Sequence, residues 1–207
     1  MDVRRATSAM LEDHAGCVQA RLQAALTSAE FTTNRPGMFD CYDCGRLVDP
    51  ANLATVASHG VLYGKYLGVE GAEVLDVGAG LGVQSCIFAL LGAKKVTSYD
   101  VTPEQHEGQR HLLAAFHPPL PVEPVLADWV SNPAPPDSAD AVLMQESISH
   151  IRDTDKAIRS AVEALRPGLK CEFLSQPRTR LGGRNLPPVN IAKRLLAAAG
   201  LRECAAG

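Results

Sequence analysis

A chain of 207 residues with 46% apolar content can bury one sizeable core, as one domain or one domain with an N-terminal extension. A net charge of −3 gives no electrostatic case for nucleic acid or a membrane surface, and no window approaches the roughly 18 apolar residues of a membrane span. The opening Met1-Asp2-Val3-Arg4-Arg5 lacks the apolar core of a signal peptide, so a cytoplasmic protein with neither nucleic-acid nor membrane partner is expected.

Residues 7–30 carry apolar side chains near one helical face (Met10, Leu11, Val18, Leu22, Leu26) and predict a helix ahead of the core. Residues 31–50 are punctuated by Pro36, Gly37 and Asp40 and read as irregular. Within them Cys41 and Cys44 form a C-x-x-C. Zinc takes about four ligands and the chain has no second pair, so reduced thiols and no metal are expected. A second helix over 51–68 leads through Tyr63 and Tyr66 to a turn at Gly71. Residues 1–68 are thus expected to form a helical extension or lid, and 69–207 the core.

Strands and helices then alternate. The pattern predicts a strand at 73–78, a helix at 82–92 and a strand at 95–100. Thr102 is placed to cap the next helix, with Pro103 first in it and Gln105 completing a capping box. That helix runs to about Phe116, and the Pro118-Pro119-Leu120-Pro121 run stops it. Further strands are predicted at 122–127, 140–145 and 169–175, with a helix capped by Asp153 or Thr154 and ending at Arg166-Pro167-Gly168. A last helix is expected at 189–199. Apolar strands alternating with helices specify an α/β fold: a doubly wound, mainly parallel, Rossmann-like sheet with helices on both faces. Such sheets bind ligands beyond the carboxyl ends of their strands, so polar residues there are the candidate site.

The first strand supplies the main signal. Residues 74–82 read V-L-D-V-G-A-G-L-G: an apolar run with one carboxylate, Asp76, breaking into Gly78, Gly80 and Gly82 before a helix. Glycines let a ligand approach bare backbone, and a helix N-terminus offers free N–H groups. The dinucleotide fingerprint is G-x-G-x-x-G, but Val83 stands where its third glycine would be. Asp100 ends the second strand 18 residues after Gly82, where a carboxylate accepts both hydroxyls of a ribose. This supports a nucleoside without choosing which. Asp128 and Trp129 end the third strand. A carboxylate accepts from an exocyclic amine, and a flat side chain gives a base apolar contact.

The D-x-G-x-G-x-G loop, Asp100, Asp128-Trp129, the strand-four stretch D-A-V-L-M-Q-E-S-I-S-H and the R-P-G turn stand in an order that resembles class I S-adenosylmethionine-dependent methyltransferases over about 70–176. The resemblance implies S-adenosylmethionine as cofactor, S-adenosylhomocysteine as product, and methyl transfer to O, N or C of a small molecule. It implies cofactor contacts from Asp76, Val77, Gly78, Ala79, Gly80, Gly82, Asp100, Val101, Gln105, Asp128, Trp129 and Gln145. His150 is the candidate base by position and ordinary pKa, with a hydrogen-bonded structural histidine as the alternative. Glu146 is a candidate for orienting the acceptor, and Tyr63 and Tyr66 for a lid contact or core packing. Strand four lacks the Asn/Asp-Pro-Pro-Tyr/Phe segment of nucleic-acid methyltransferases. An NAD-dependent oxidoreductase and a non-catalytic, partner-dependent S-adenosylmethionine-binding subunit are the rival readings.

Between Phe173 and Arg202 the chain carries Arg178, Arg180, Arg184, Lys193 and Arg194 and no acid, which allows an acidic acceptor or a solvated basic surface. The family fold continues with two more strands, for which the residues after Leu201 are too few. An incomplete sheet edge is therefore expected, from a truncated chain, from a partner or second copy that completes it, or as a minimal edge, and with it self-association.

Overall fold

A computed structural model describes residues 3–37, 39 and 44–174. Four helices come first: α1 (Val3–Leu26), α2 (Ala29–Asn34), α3 (Cys44–Leu47) and α4 (Pro50–Leu67). There follow β1 (Glu73–Val77), α5 (Val83–Leu90), β2 (Lys95–Asp100), α6 (Pro103–Ala114), β3 (Val122–Leu126), β4 (Ala139–Gln145), α7 (Thr154–Ala164) and β5 (Leu165–Leu174). The predicted helix at 189–199, the basic run from Arg178 onward, Cys41 and the sheet edge expected after Leu201 lie outside the described residues.

The five described strands pair in parallel in the order β3-β2-β1-β4-β5. From β1 the chain steps outward through α5 and α6 to β3, then returns to the other side of β1 as β4. Right-handed crossovers therefore place α5 and α6 on one face and α7 on the other. The side chains follow suit. Val74, Val96, Ala141 and Leu143 pack with Phe88 and Ala89 of α5. Leu75, Val77, Val142 and Met144, pointing the other way, pack with Ala157, Ile158 and Ala161 of α7. The winding reverses between β1 and β4, and a crevice opens there at their carboxyl ends.

The N-terminal helices lie over α5. Leu22 of α1 and Leu53, Ala57 and Val61 of α4 share one cluster with Cys86 and Ile87. Gly60 and Gly64 bring α4 close, since a Cβ on either would overlap Ile87 or Leu91. This approach holds the neighbouring row of α4 against the crevice.

Three expectations need correction. Residues 31–50, expected to be irregular, hold most of α2 and all of α3. The single helix at 7–30 is broken after Leu26, because the Ser28 hydroxyl caps a new helix by accepting the Phe31 N–H at 3.1 Å. The helix expected to end at Arg166-Pro167-Gly168 stops at Ala164, and the strand expected from 169 starts at Leu165. The chain is already extended at Leu165 (ψ 135°), and Pro167 disfavours helical geometry at Arg166, so the strand runs on through it. The pairing shifts register between Ala139 and Ala141. Arg166 then bonds Asp140 Oδ1 and Glu73 Oε2, each at 2.7 Å. Asp140, at the amino end of β4, thus anchors the sheet at the end remote from the crevice.

Candidate active site

The crevice is a cavity of about 880 Å³. Each expected cofactor residue except Gly82 lines it, as do Glu146 and His150. They come from four adjacent strand ends and the α6 start, which only the parallel arrangement brings together.

The three glycines of the loop have three different reasons. A Cβ on Gly78 would overlap Ser147 Cβ, and Ser147 is held there by its hydroxyl donating to Val77 O at 2.6 Å. Gly82, at φ +74°, caps α5 and faces Gln109, whose amide a Cβ would strike. It is a packing position behind the loop, outside the cavity lining. Only Gly80, at φ +56°, has no atom within 4 Å of its absent Cβ. The bare-backbone approach expected of all three belongs to Gly80 alone. The loop's N–H groups are also largely committed: Gly78 and Ala79 donate to Tyr99 O at 2.8 and 2.9 Å, and Gly80 to Asp100 Oδ2 at 2.8 Å. What the loop offers a ligand is its shape more than free donors.

Beneath the loop runs a buried polar chain. Ser85 donates to Asp76 Oδ2 at 2.6 Å and stands 3.1 Å from Ser98 Oγ, and the Gln109 amide donates to Ser98. It joins β1, α5, β2 and α6. Burial pushes the Asp76 carboxyl up to about 6, the Ser85 hydroxyl opposes this, and the nearby Asp100 charge adds to it.

Asp100 holds Gly80 N–H on one oxygen and Thr102 N–H on the other, both at 2.8 Å. Each oxygen keeps a further lone pair for a ligand. The expected capping box does not form: Thr102 stands at the N-cap with no side-chain bond to the helix. Gln105 turns into the cavity wall instead, and its buried Oε1 has no donor. Asp128 accepts from Val130 N–H at 3.1 Å and Ser131 Oγ at 2.7 Å, the hydroxyl first among the contacts that hold its carboxyl below the usual range. Trp129 is 4% exposed, edge-on to Tyr99 at 5.1 Å, with its indole N–H donated to Ala157 O at 3.0 Å. It is mainly a core side chain under α7. The exposed apolar group at the rim is Val101, at 67%.

After β4, Glu146 adopts φ +54°, rare for a residue with a Cβ, and lines the cavity with Gln145. The one-turn 3-10 helix Ile148–His150 follows, its last N–H bonded to Ser147 O at 2.9 Å. The His150 side chain is exposed in the cavity wall and makes no hydrogen bond among the described residues. Tyr63 and Tyr66 lie outside the lining. The opposite wall is Arg46 of α3 with Asn52, Thr55, Val56 and His59 of α4. Sequence reasoning missed these five. The signal was there: 52, 55, 56 and 59 recur as i, i+3, i+4, i+7, a row beside the buried Leu53, Ala57 and Val61.

A crossover crevice with a glycine turn, a carboxylate at the end of β2 and an acidic wall defines a doubly wound α/β protein with a candidate nucleoside site. Residues 75–172 match the family model for a methyltransferase domain. Over this segment the chain is similar to a methyltransferase domain, a likeness that favours this reading of the loop over a nicotinamide one. The ubiquinone biosynthesis O-methyltransferase of Proteus mirabilis is 35% identical over 103 residues, 49% of this chain and 40% of that enzyme. The demethylmenaquinone methyltransferase of Tropheryma whipplei is 34% identical over 122 residues, 55% of this chain and 47% of that enzyme. The matches therefore span less than half of either relative. Among solved structures, a SAM-dependent methyltransferase from Aquifex aeolicus aligns with a TM-score of 0.55 at 21% identity, covering 69% of this chain and 79% of that one. The [4+2]-cyclase SpnF aligns at 0.59 with 24% identity, covering 70% and 57%. Likeness at that level is likeness of fold. Among the described residues no helix is long and apolar enough to cross a membrane.

Proposed function

We propose that this chain is a methyltransferase that takes S-adenosylmethionine and methylates O, N or C of a small-molecule acceptor. The observation that carries this reading is the acceptor-rich wall: the carboxylates of Asp76, Asp100 and Asp128 and the unpaired Oε1 of Gln105 line one side of the cavity. A ligand with hydroxyls, an amino group and positive charge suits such a wall. A pyrophosphate would be repelled by it. In this reading Asp100 holds the ribose hydroxyls, Gln105 Oε1 takes a ligand N–H or O–H, Asp128 takes the base amine, Val101 covers the base, and Gly80 admits the ligand at the turn. Asp76 faces its charged end. Bound S-adenosylmethionine supplies an activated sulfonium methyl group for in-line transfer. The chain's own task is then alignment and exclusion of water, with His150 placed to accept a proton from the acceptor and Glu146 to orient it. The helices of residues 1–68 act as the acceptor-side cover. A small-molecule acceptor fits the quinone-methylating relatives.

Calorimetric titration with S-adenosylhomocysteine, with NADH in parallel, tests this reading. Micromolar binding of the product alone is expected, weakening between pH 7.5 and pH 5 as Asp76 takes up its proton. NADH binding alone, or binding of neither, overturns it. A non-catalytic, partner-dependent role is the second reading, which the match to less than half of either curated relative leaves open. Turnover of an acceptor by the isolated chain would exclude it. Self-association through β5, an edge of the described sheet, is a further proposal. A purely monomeric sedimentation profile at high concentration would remove it.

A further inference from the structure

We infer that the methyl acceptor is an organic anion whose carboxylate or phosphate is received by Arg46 on the α3–α4 wall. This rests on assigning the opposite wall to the donor. The four carboxylates that line the cavity, Asp76, Asp100, Asp128 and Glu146, come from β1, the end of β2 and the segments after β3 and β4. The α3–α4 wall contributes Arg46, Asn52, Thr55, Val56 and His59, with no acid among the described lining. The cavity is therefore divided in charge. Its acidic side matches a cationic donor, and its other side presents a guanidinium.

Arg46 is exposed to the cavity and forms no ion pair with any described residue. A guanidinium keeps its charge at all working pH and presents a planar fork that binds carboxylate or phosphate through two N–H groups. Its position is held locally. Asn52 Nδ2 donates to Gly45 O at 2.8 Å, which ties the turn carrying Arg46 to the first turn of α4. The Thr55 hydroxyl donates back to Ala51 O at 3.2 Å, leaving its oxygen as an acceptor, and His59 supplies a ring N–H one helical turn further. Val56 gives the apolar contact between them. An acceptor anchored by its anion at Arg46 extends across the cavity toward Glu146 and His150, where the acid on the far wall disfavours the reversed orientation. One anchored end and one reacting end is the arrangement that alignment requires.

The test is calorimetric titration of the full chain with benzoate, phenyl phosphate and uncharged benzamide, each with and without saturating S-adenosylhomocysteine. At least one anion is expected to bind about 10-fold more tightly than benzamide, the size of one charge-assisted hydrogen-bond pair. Arg46→Gln is expected to reduce that preference to under about twofold. Binding of S-adenosylhomocysteine, which reads the donor wall, serves as the control for intact folding of that variant. A stronger benzoate signal identifies carboxylate chemistry and a stronger phenyl phosphate signal identifies phosphate. Equal binding of anions and amide by the wild type overturns the inference, as does a preference that survives Arg46→Gln. Failure of S-adenosylhomocysteine to bind the wild type would overturn the donor assignment instead, while the titrations made without it still decide the anion site.

Discussion

Asp100→Asn is expected to weaken S-adenosylhomocysteine binding about 10- to 100-fold, the loss for hydrogen bonds to a charged acceptor of roughly 1.5–3 kcal/mol. The carboxylate does two things at once. It fixes the loop through Gly80 N–H and the α6 start through Thr102 N–H, each at 2.8 Å, and it faces the cavity with its remaining lone pairs. Asparagine keeps one acceptor oxygen and turns the other into a donor, so one backbone N–H loses its partner and the ribose side loses its charge. A fall of a few degrees in melting temperature should accompany the loss of affinity, with the circular dichroism of the fold retained. Glu123→Gln is the comparison. It removes an equal charge from β3, outside the cavity, where Glu123 pairs with Lys95 at 2.5 Å across exposed surface. Its effect on affinity should stay within about twofold. Equal affinity in the Asp100 variant and the wild type would show that this carboxylate only organises the loop.

Gly80→Ala and Gly82→Ala should fail in opposite ways although they lie two residues apart. Gly82→Ala places a Cβ in the Gln109 amide at a φ of +74°. Gln109 cannot move without releasing Ser98, and through Ser98 the contact of Ser85 with Asp76. A loss of about 2–4 kcal/mol is expected, seen as a melting temperature lower by roughly 5–15 °C. Gly80→Ala, at φ +56° with open space around its Cβ, should cost the fold only about 1–2 kcal/mol of backbone strain. Its methyl group enters the cavity, and binding of S-adenosylhomocysteine should fall more than about 10-fold. Normal binding by Gly80→Ala would mean that no ligand passes this turn.

Much of this architecture was legible in the chain. The β2 span 95–100 agrees residue for residue with its sequence prediction, and Asp153 caps α7 by accepting Lys156 N–H at 3.0 Å. Apolar runs, glycine turns and helix caps are local signals, governed by backbone sterics and hydrogen bonds within a few residues, so a linear reading reaches them. The residues at strand ends could be named for the same reason, because a parallel sheet places every strand's carboxyl end on one side. Their purposes were another matter. Gly78, Gly80 and Gly82 look alike in the chain, and only Ser147 and Gln109, distant in sequence and adjacent in space, separate two glycines whose Cβ would strike a neighbour from one with open space around it. Gln105 reads as half of a capping box until Asp100 takes the Thr102 N–H and leaves Oε1 of Gln105 unpaired.

By itself, then, the sequence determined a doubly wound sheet, the turn after β1 and the acids of a candidate nucleoside site, since these follow from periodicity and short-range geometry. The opposite wall was decided by tertiary structure. Arg46 and the row from Asn52 to His59 line the same cavity as Gly80 because Gly60 and Gly64 let α4 close onto α5. That contact joins segments far apart in the chain, and its cause is close packing, which no local pattern records.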